Sequence, residues 1–224
     1  MVVTSDPNAK NEVRTMKWVE NGESTAVFCC STEKPNIFLI GDSIRQGYCE
    51  TVKNELSDVA EVFYFKDNCR SSQYIIFNMK KWAGLFSDPS LVDIVQFNCG
   101  HWDIAHWNGH ALPLTSEAEY ERNLQIIIDQ LRHFFPRARL IFATTSPMNP
   151  SGKLGTNVRT DEEIDRYNAI ATAVMQRNGI TVNDINTFVR PFGSECYADY
   201  CHLTADAFAM LGKYVAQQLK SYII

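Results

Sequence analysis

The sequence predicts an α/β protein, a flavodoxin-like three-layer α/β/α sandwich on a five-stranded parallel sheet. Short apolar runs rich in β-branched and aromatic residues alternate with segments of helical periodicity, which is the pattern of βαβ units. Two helical segments open on capping boxes. With 224 residues, 45% hydrophobic and 21% charged, the chain has the make-up of one soluble domain with a substantial core.

Residues 1–35 are the least patterned and are read as an N-terminal arm, in which Thr25–Cys30 could add an accessory edge strand before Pro35. The domain proper is 36–224. Its first strand is Asn36–Ile40, whose four consecutive apolar residues fit a strand buried on both faces. After Ser43, Tyr48, Val52 and Leu56 fall at helical spacing. Ala60–Phe65 is the second strand, 66–72 a polar turn and Tyr74–Phe86 the second helix. Leu91–Phe97 is the third strand and runs into an unusual segment, Asn98–Leu114.

Ser116 and Glu119 have capping-box spacing, and Tyr120, Leu124, Ile127 and Leu131 continue an amphipathic helix that Pro136 closes. The fourth strand is Leu140–Ala143. A second capping box, Thr160 and Glu163, opens the helix through Ile164, Tyr167, Ala171 and Val174, which Gly179 ends. Ile180–Val182 is a short fifth strand. Phe208, Leu211, Val215 and Leu219 mark the final helix.

Composition excludes some functions. The 21 basic and 26 acidic residues give a net charge of −5 with no long run of either sign, which argues against a nucleic-acid partner and against adhesion to anionic membranes. Met1–Lys10 is polar, without the apolar core of a signal peptide, and no apolar run is long enough to span a membrane. A cytoplasmic protein is therefore expected. The cysteines at 29, 30, 49, 69, 99, 196 and 201 are odd in number and lack metal-type pairing, so reduced thiols fit better than a disulfide framework.

The chemistry-bearing residues lie after strands. Ser43 follows the first strand at its carboxyl end, where ligands bind in open α/β sheets. It can be a nucleophile, or only a helix N-cap. Asp199 and His202, three residues apart and after the fifth strand, come to the same edge. Together the three have the make-up of a triad in which His202 takes the Ser43 proton and Asp199 fixes the ring's tautomer. A surface His and a loop carboxylate fit the spacing equally well.

Gly41-Asp42-Ser43-Ile44 and Asp199-x-x-His202 resemble the first and last sequence blocks of the GDSL esterases, also called SGNH hydrolases. Asn68-Cys69-Arg70-Ser71 stands where that family has a Gly whose amide helps bind the oxyanion, and Cys69 takes the Gly position. Gly100-His101-Trp102-Asp103 matches the family's Gly-x-Asn-Asp except that Trp102 replaces the oxyanion Asn. The resemblance spans about Asn36 to Ile223. It implies a serine esterase with Ser43, Asp199 and His202 catalytic, and an oxyanion hole from the amides of Ser43 and Cys69. Asn98 is the candidate to replace the missing carboxamide, with Asn68 the weaker one.

The α/β-hydrolase elbow and the phosphate-binding P-loop are both excluded, because neither glycine pattern is present. Arg45 reads as a solvated helix residue, with anion binding the alternative. The segment Gly100–His110 holds three of the five histidines and two of the four tryptophans. Its histidine spacing fits no common zinc pattern, so no metal is expected. Trp102 and Trp107 either line a substrate pocket or pack into the core. With no lid segment evident, a short acyl group is expected, acetyl on a carbohydrate or related small molecule, and no cofactor. Acyl transfer by the same triad, and a binding protein that has lost catalysis, are the alternatives.

Overall fold

The computed structural model describes residues 28–152 and 155–223. The five strands are β1 (Asn36–Ile40), β2 (Glu61–Tyr64), β3 (Val92–Phe97), β4 (Arg139–Ala143) and β5 (Thr181–Asn183). They pair in the order β2-β1-β3-β4-β5, all parallel. Phe38 at the centre of β1 stands opposite Phe63 of β2 and Val95 of β3. This is the flavodoxin-like arrangement expected from the sequence. The chain leaves β1 toward β2 on one side and returns to β3 on the other, so a crevice opens beyond the carboxyl ends of β1 and β3.

The helices are α1 (Ser43–Leu56), α2 (Ser72–Ala83), α3 (His101–Ile104), α4 (Glu117–Phe134), α5 (Asp161–Arg177), α6 (Ile185–Val189) and α7 (Ala205–Lys220). Every residue of β1 is buried. Phe38 and Ile40 join one core with residues of α2, α4 and α5, while Ile37 and Leu39 join the other with residues of α1, α6 and α7. The alternation along one strand thus serves two layers at once. Each such side chain contributes about 1.5–3 kcal/mol when fully buried.

Both capping boxes form. Ser116 accepts from the Glu119 amide and Thr160 from the Glu163 amide, each carboxylate bonding back. The Tyr120, Leu124, Ile127, Ile128, Leu131 face of α4 is buried as its spacing predicts. Element ends differ from expectation by a few residues. α2 begins at Ser72 and stops at Ala83, because Leu85 and Phe86 turn back to meet Phe28. β5 lies one residue later than expected, since the Ile180 amide closes the end of α5 on Met175. The short helices α3 and α6 were not expected.

Of the proposed accessory strand Thr25–Cys30, residues up to 27 lie outside the described part, as does most of the arm. Phe28 makes a single parallel bridge to Phe86. No described helix is long and apolar enough to cross a membrane.

Candidate active site

Ser43 is the first residue of α1, and Asp42 is the N-cap, accepting from the Ile44 amide at 3.0 Å. As the first helical residue, Ser43 has no intrahelical acceptor for its own amide. Burial pushes the Asp42 carboxyl up, against the pull of the neighbouring Asn98 carboxamide, the Ile44 backbone amide and Arg45.

The last loop carries the other two groups. Tyr197 and Leu203 pair as an antiparallel bridge and close a small turn over residues 198–202. Within it the Ala198 amide donates to the His202 carbonyl at 2.8 Å. Asp199 Oδ1 accepts the amides of Cys201 and His202, each at 2.8 Å, and its Oδ2 meets His202 Nδ1 at 2.7 Å. The far side of the imidazole, Nε2, lies 2.8 Å from Ser43 Oγ. The carboxylate's acceptor role puts the hydrogen on Nδ1 and leaves Nε2 to accept the serine proton. Partial burial raises the Asp199 carboxyl, but the two amides and the imidazole outweigh it and hold it below the usual carboxylate range.

Asn149, which the sequence reading did not single out, fixes this turn to the loop after β4. Its Nδ2 donates to the Asp199 carbonyl at 2.8 Å, and its amide to the Tyr200 carbonyl at 2.9 Å. The only signal for it was its place between Pro147 and Pro150, where a rigid turn was to be expected.

The expected oxyanion residues divide. Asn98 lies at the end of β3, is 2% exposed and packs its carboxamide on the nucleophile turn, where Oδ1 takes no hydrogen bond. The Cys69 amide is not available. It donates to the Gly41 carbonyl at 3.0 Å and so anchors the loop after β2 to the nucleophile turn. Arg70 has a left-handed backbone, φ 51°, and its amide is taken by Asn68 Oδ1 at 2.8 Å. The next amide, that of Ser71, donates to nothing among the described residues. Which backbone N–H of a loop is left free depends on dihedrals that the residue types do not reveal, so the engagement of the Cys69 amide was not readable.

Asp103, the match to the family's last motif residue, holds that loop. It is fully buried and accepts from the Ser72 amide at 3.0 Å, the Ser72 hydroxyl at 2.5 Å and the Thr115 hydroxyl at 2.9 Å. Burial raises its carboxyl to about 6 against these donors.

Arg45 is not a solvated helix residue. It is 0% exposed, and its guanidinium donates to the carbonyls of Phe65 at 2.5 Å, Asp67 at 2.6 Å and Gly41 at 3.0 Å. Three converging carbonyls from two strand ends do the work of a counter-ion. An anion-binding role is thereby closed to it.

Trp102 and Trp107 stay half-buried and do not enter the core. Their rings lie 4.8 Å apart at 44°, and the Arg70 guanidinium covers Tyr74 at 4.7 Å and Trp102 at 5.8 Å. The three histidines of this segment turn to different partners: His101 Nε2 to Ser146 Oγ, His106 to Glu163 and the His110 carbonyl, and His110 to the Leu112 backbone. Among the described residues the one group of three potential metal ligands is Asp199, Cys201 and His202. There His202 Nδ1 and Asp199 Oδ2 are already bonded to each other, and burial pushes the Cys201 thiol up to about 12, away from the thiolate a metal would need.

None of the functionally curated proteins matches the chain significantly. Among solved structures it is similar to a lipase/acylhydrolase from Enterococcus faecalis, at 18% identity and TM-score 0.67, over 85% of this chain and 97% of that one. It is also similar to an acetyl xylan esterase at 16% identity and TM-score 0.62, over 84% of this chain and 100% of that one. A carbohydrate acetylesterase from Sinorhizobium meliloti has 13% identity and TM-score 0.59, over 85% of this chain and 100% of that one. Identities this low carry the fold and nothing finer. The sequence model of the GDSL-like lipase/acylhydrolase family matches residues 39–209, from within β1 to within α7. That stretch contains the Gly-Asp-Ser turn and the Asp199–His202 pair, and the chain belongs to the GDSL-like lipase/acylhydrolase family, as a carboxylic ester hydrolase.

Proposed function

We propose that the protein hydrolyses short-chain esters, acetyl groups on a carbohydrate or related small molecule, with Ser43 as nucleophile. The observation that carries the reading is the unbroken chain Ser43 Oγ, His202, Asp199, with contacts of 2.8 and 2.7 Å. His202 Nε2 takes the hydroxyl proton as Oγ attacks the ester carbonyl, and Asp199 stabilises the imidazolium that forms. The proton then passes to the leaving alcohol. Water, deprotonated by the same imidazole, releases the acid and regenerates Ser43.

The tetrahedral oxyanion needs donors fixed in advance. The amide of Ser43, the carboxamide of Asn98 and, in place of Cys69, the amide of Ser71 supply them. The half-buried indoles of Trp102 and Trp107 offer flat apolar faces on which a sugar ring can stack. Acetyl as the cargo is supported by the names of two structural neighbours, an acetyl xylan esterase and a carbohydrate acetylesterase.

Turnover of p-nitrophenyl acetate by the wild-type protein and by Ser43→Ala tests the reading. The variant is expected to lose about 10⁴-fold or more of kcat with its thermal melt intact. Unchanged turnover in a folded variant would remove Ser43 from the mechanism. Acetate release from an acetylated oligosaccharide, set against release from a decanoyl ester, tests the substrate class.

A further inference from the structure

Two arginines are buried near the site, and they are satisfied very differently. Arg45 donates from its two terminal nitrogens to three backbone carbonyls and leaves only Nε unpartnered. Arg159, 6% exposed, makes one hydrogen bond among the described residues, to the Cys201 sulfur at 3.8 Å, and lies over the Tyr200 ring, while its Nε is buried without a partner. No carboxylate among the described residues forms an ion pair with it. The thiol it touches stays neutral, so it cannot offset the charge. Leaving a buried cation uncompensated costs several kcal/mol, and such a group persists where something else compensates it.

Its position is next to the proposed chemistry. Cys201 Sγ lies 3.7 Å from His202 Nδ1, and the Arg159 guanidinium lies 5.6 Å from the centre of the Tyr200 ring, which is edge-on to His202 at 6.4 Å. Its positive charge is also felt at Asp42 and His101. Asp42 feels that charge but does not pair with it. That carboxylate accepts the Ile44 amide on Oδ1, and no ion pair joins it to Arg159.

A second buried polar atom nearby is also unpartnered. His101 is 3% exposed, bonds Ser146 Oγ through Nε2 at 3.1 Å, and leaves Nδ1 with no partner. Burial, with the positive charges of Arg159 and His202 nearby, keeps the ring neutral. In the tautomer in which Nε2 accepts the Ser146 hydroxyl, Nδ1 carries a hydrogen and is a donor.

We propose that Arg159, with the Nδ1–H of His101, forms a carboxylate-binding subsite beside Ser43 and His202, so that the ester hydrolysed carries a carboxylate near the scissile bond. This rests on the esterase reading above. One cation and one neutral donor match a single negative charge, hence a carboxylate in preference to a doubly charged phosphate monoester. The carboxylate belongs either to the acyl part, as in a half-ester of a dicarboxylic acid, or to the alcohol, as in an acetylated hydroxy acid or uronic acid.

Paired esters separate these. For the acyl side, 4-nitrophenyl hemisuccinate is compared with 4-nitrophenyl butyrate; for the alcohol side, 4-acetoxybenzoate is compared with 4-acetoxybenzamide. In one pair the anionic ester is expected to exceed its neutral partner in kcat/KM by about tenfold or more. Arg159→Met should bring that ratio to about one, and Arg159→Lys should keep part of it. A ratio near one in both pairs for the wild type, or a ratio unchanged in Arg159→Met, overturns the subsite. Should Arg159→Met not fold, the wild-type ratios and Arg159→Lys decide.

Should no ester be turned over through Ser43, calorimetric titration with benzoate decides independently. Binding that Arg159→Lys weakens keeps the subsite while the hydrolase reading falls. No binding removes the subsite.

Discussion

A Cβ on Gly41 would stand 1.8 Å from Asn98 Oδ1, and 2.8 Å from both Asn98 Cγ and Arg45 Cβ. Gly41 is therefore required for space, so that the carboxamide at the end of β3 can lie against the turn that carries Ser43. Gly41→Ala is predicted to push Asn98 and the Arg45 stem aside. It should cost about 1–3 kcal/mol of stability by overpacking, read by urea denaturation, and depress kcat as well.

If the Asn98 carboxamide donates to the oxyanion, Asn98→Ala lowers kcat about 10²–10³-fold and leaves KM nearly unchanged. Steady-state kinetics on p-nitrophenyl acetate read both numbers. A rise in KM alone would make Asn98 a ground-state binding residue.

Arg45 holds the ends of β1 and β2 together through the Gly41, Phe65 and Asp67 carbonyls. Lysine cannot reach all three from one fixed plane, and Arg45→Lys is predicted to cost about 3 kcal/mol in the same denaturation measurement. A loss below about 0.5 kcal/mol would mean that those carbonyls find water instead.

His106 and Glu163 meet at 2.8 Å and tie the tryptophan segment to α5. The hydrogen bond to Glu163 raises the His106 pKa above 6.5. Partial burial raises Glu163, but the bonds to His106 and Thr160 outweigh it and hold the carboxyl below 4.5. The histidine's contribution is complete below pH 6.5 and fades as the pH rises through its folded value. The carboxylate's is complete above 4.5 and fades as the pH falls through its folded value. The difference in melting temperature between wild type and His106→Asn should thus be largest between those two values and shrink on either side. A difference independent of pH would reduce the contact to packing.

The parallel sheet and its five long helices were legible because β1 has no polar residue after Asn36 and because both capping boxes are local signals, whereas α3 and α6 are too short to leave a period. The pairing of positions 43 and 202 was legible as two short motifs at the ends of parallel strands. Arg45 was misread since a charged residue in a helix defaults to solvent, and its partners at 65 and 67 become neighbours only when β2 pairs with β1. The Asn149 clamp and the unpaired Arg159 depend likewise on loops from β4 and β5 meeting, which no spacing records.

The most direct measurement is covalent. Incubation with a 4-nitrophenyl alkylphosphonate, followed by peptide mass spectrometry, should find one adduct, on Ser43, formed far more slowly in His202→Ala and absent from Ser43→Ala. An active protein whose Ser43 stays unmodified, or whose adduct forms on another residue, would contradict the account.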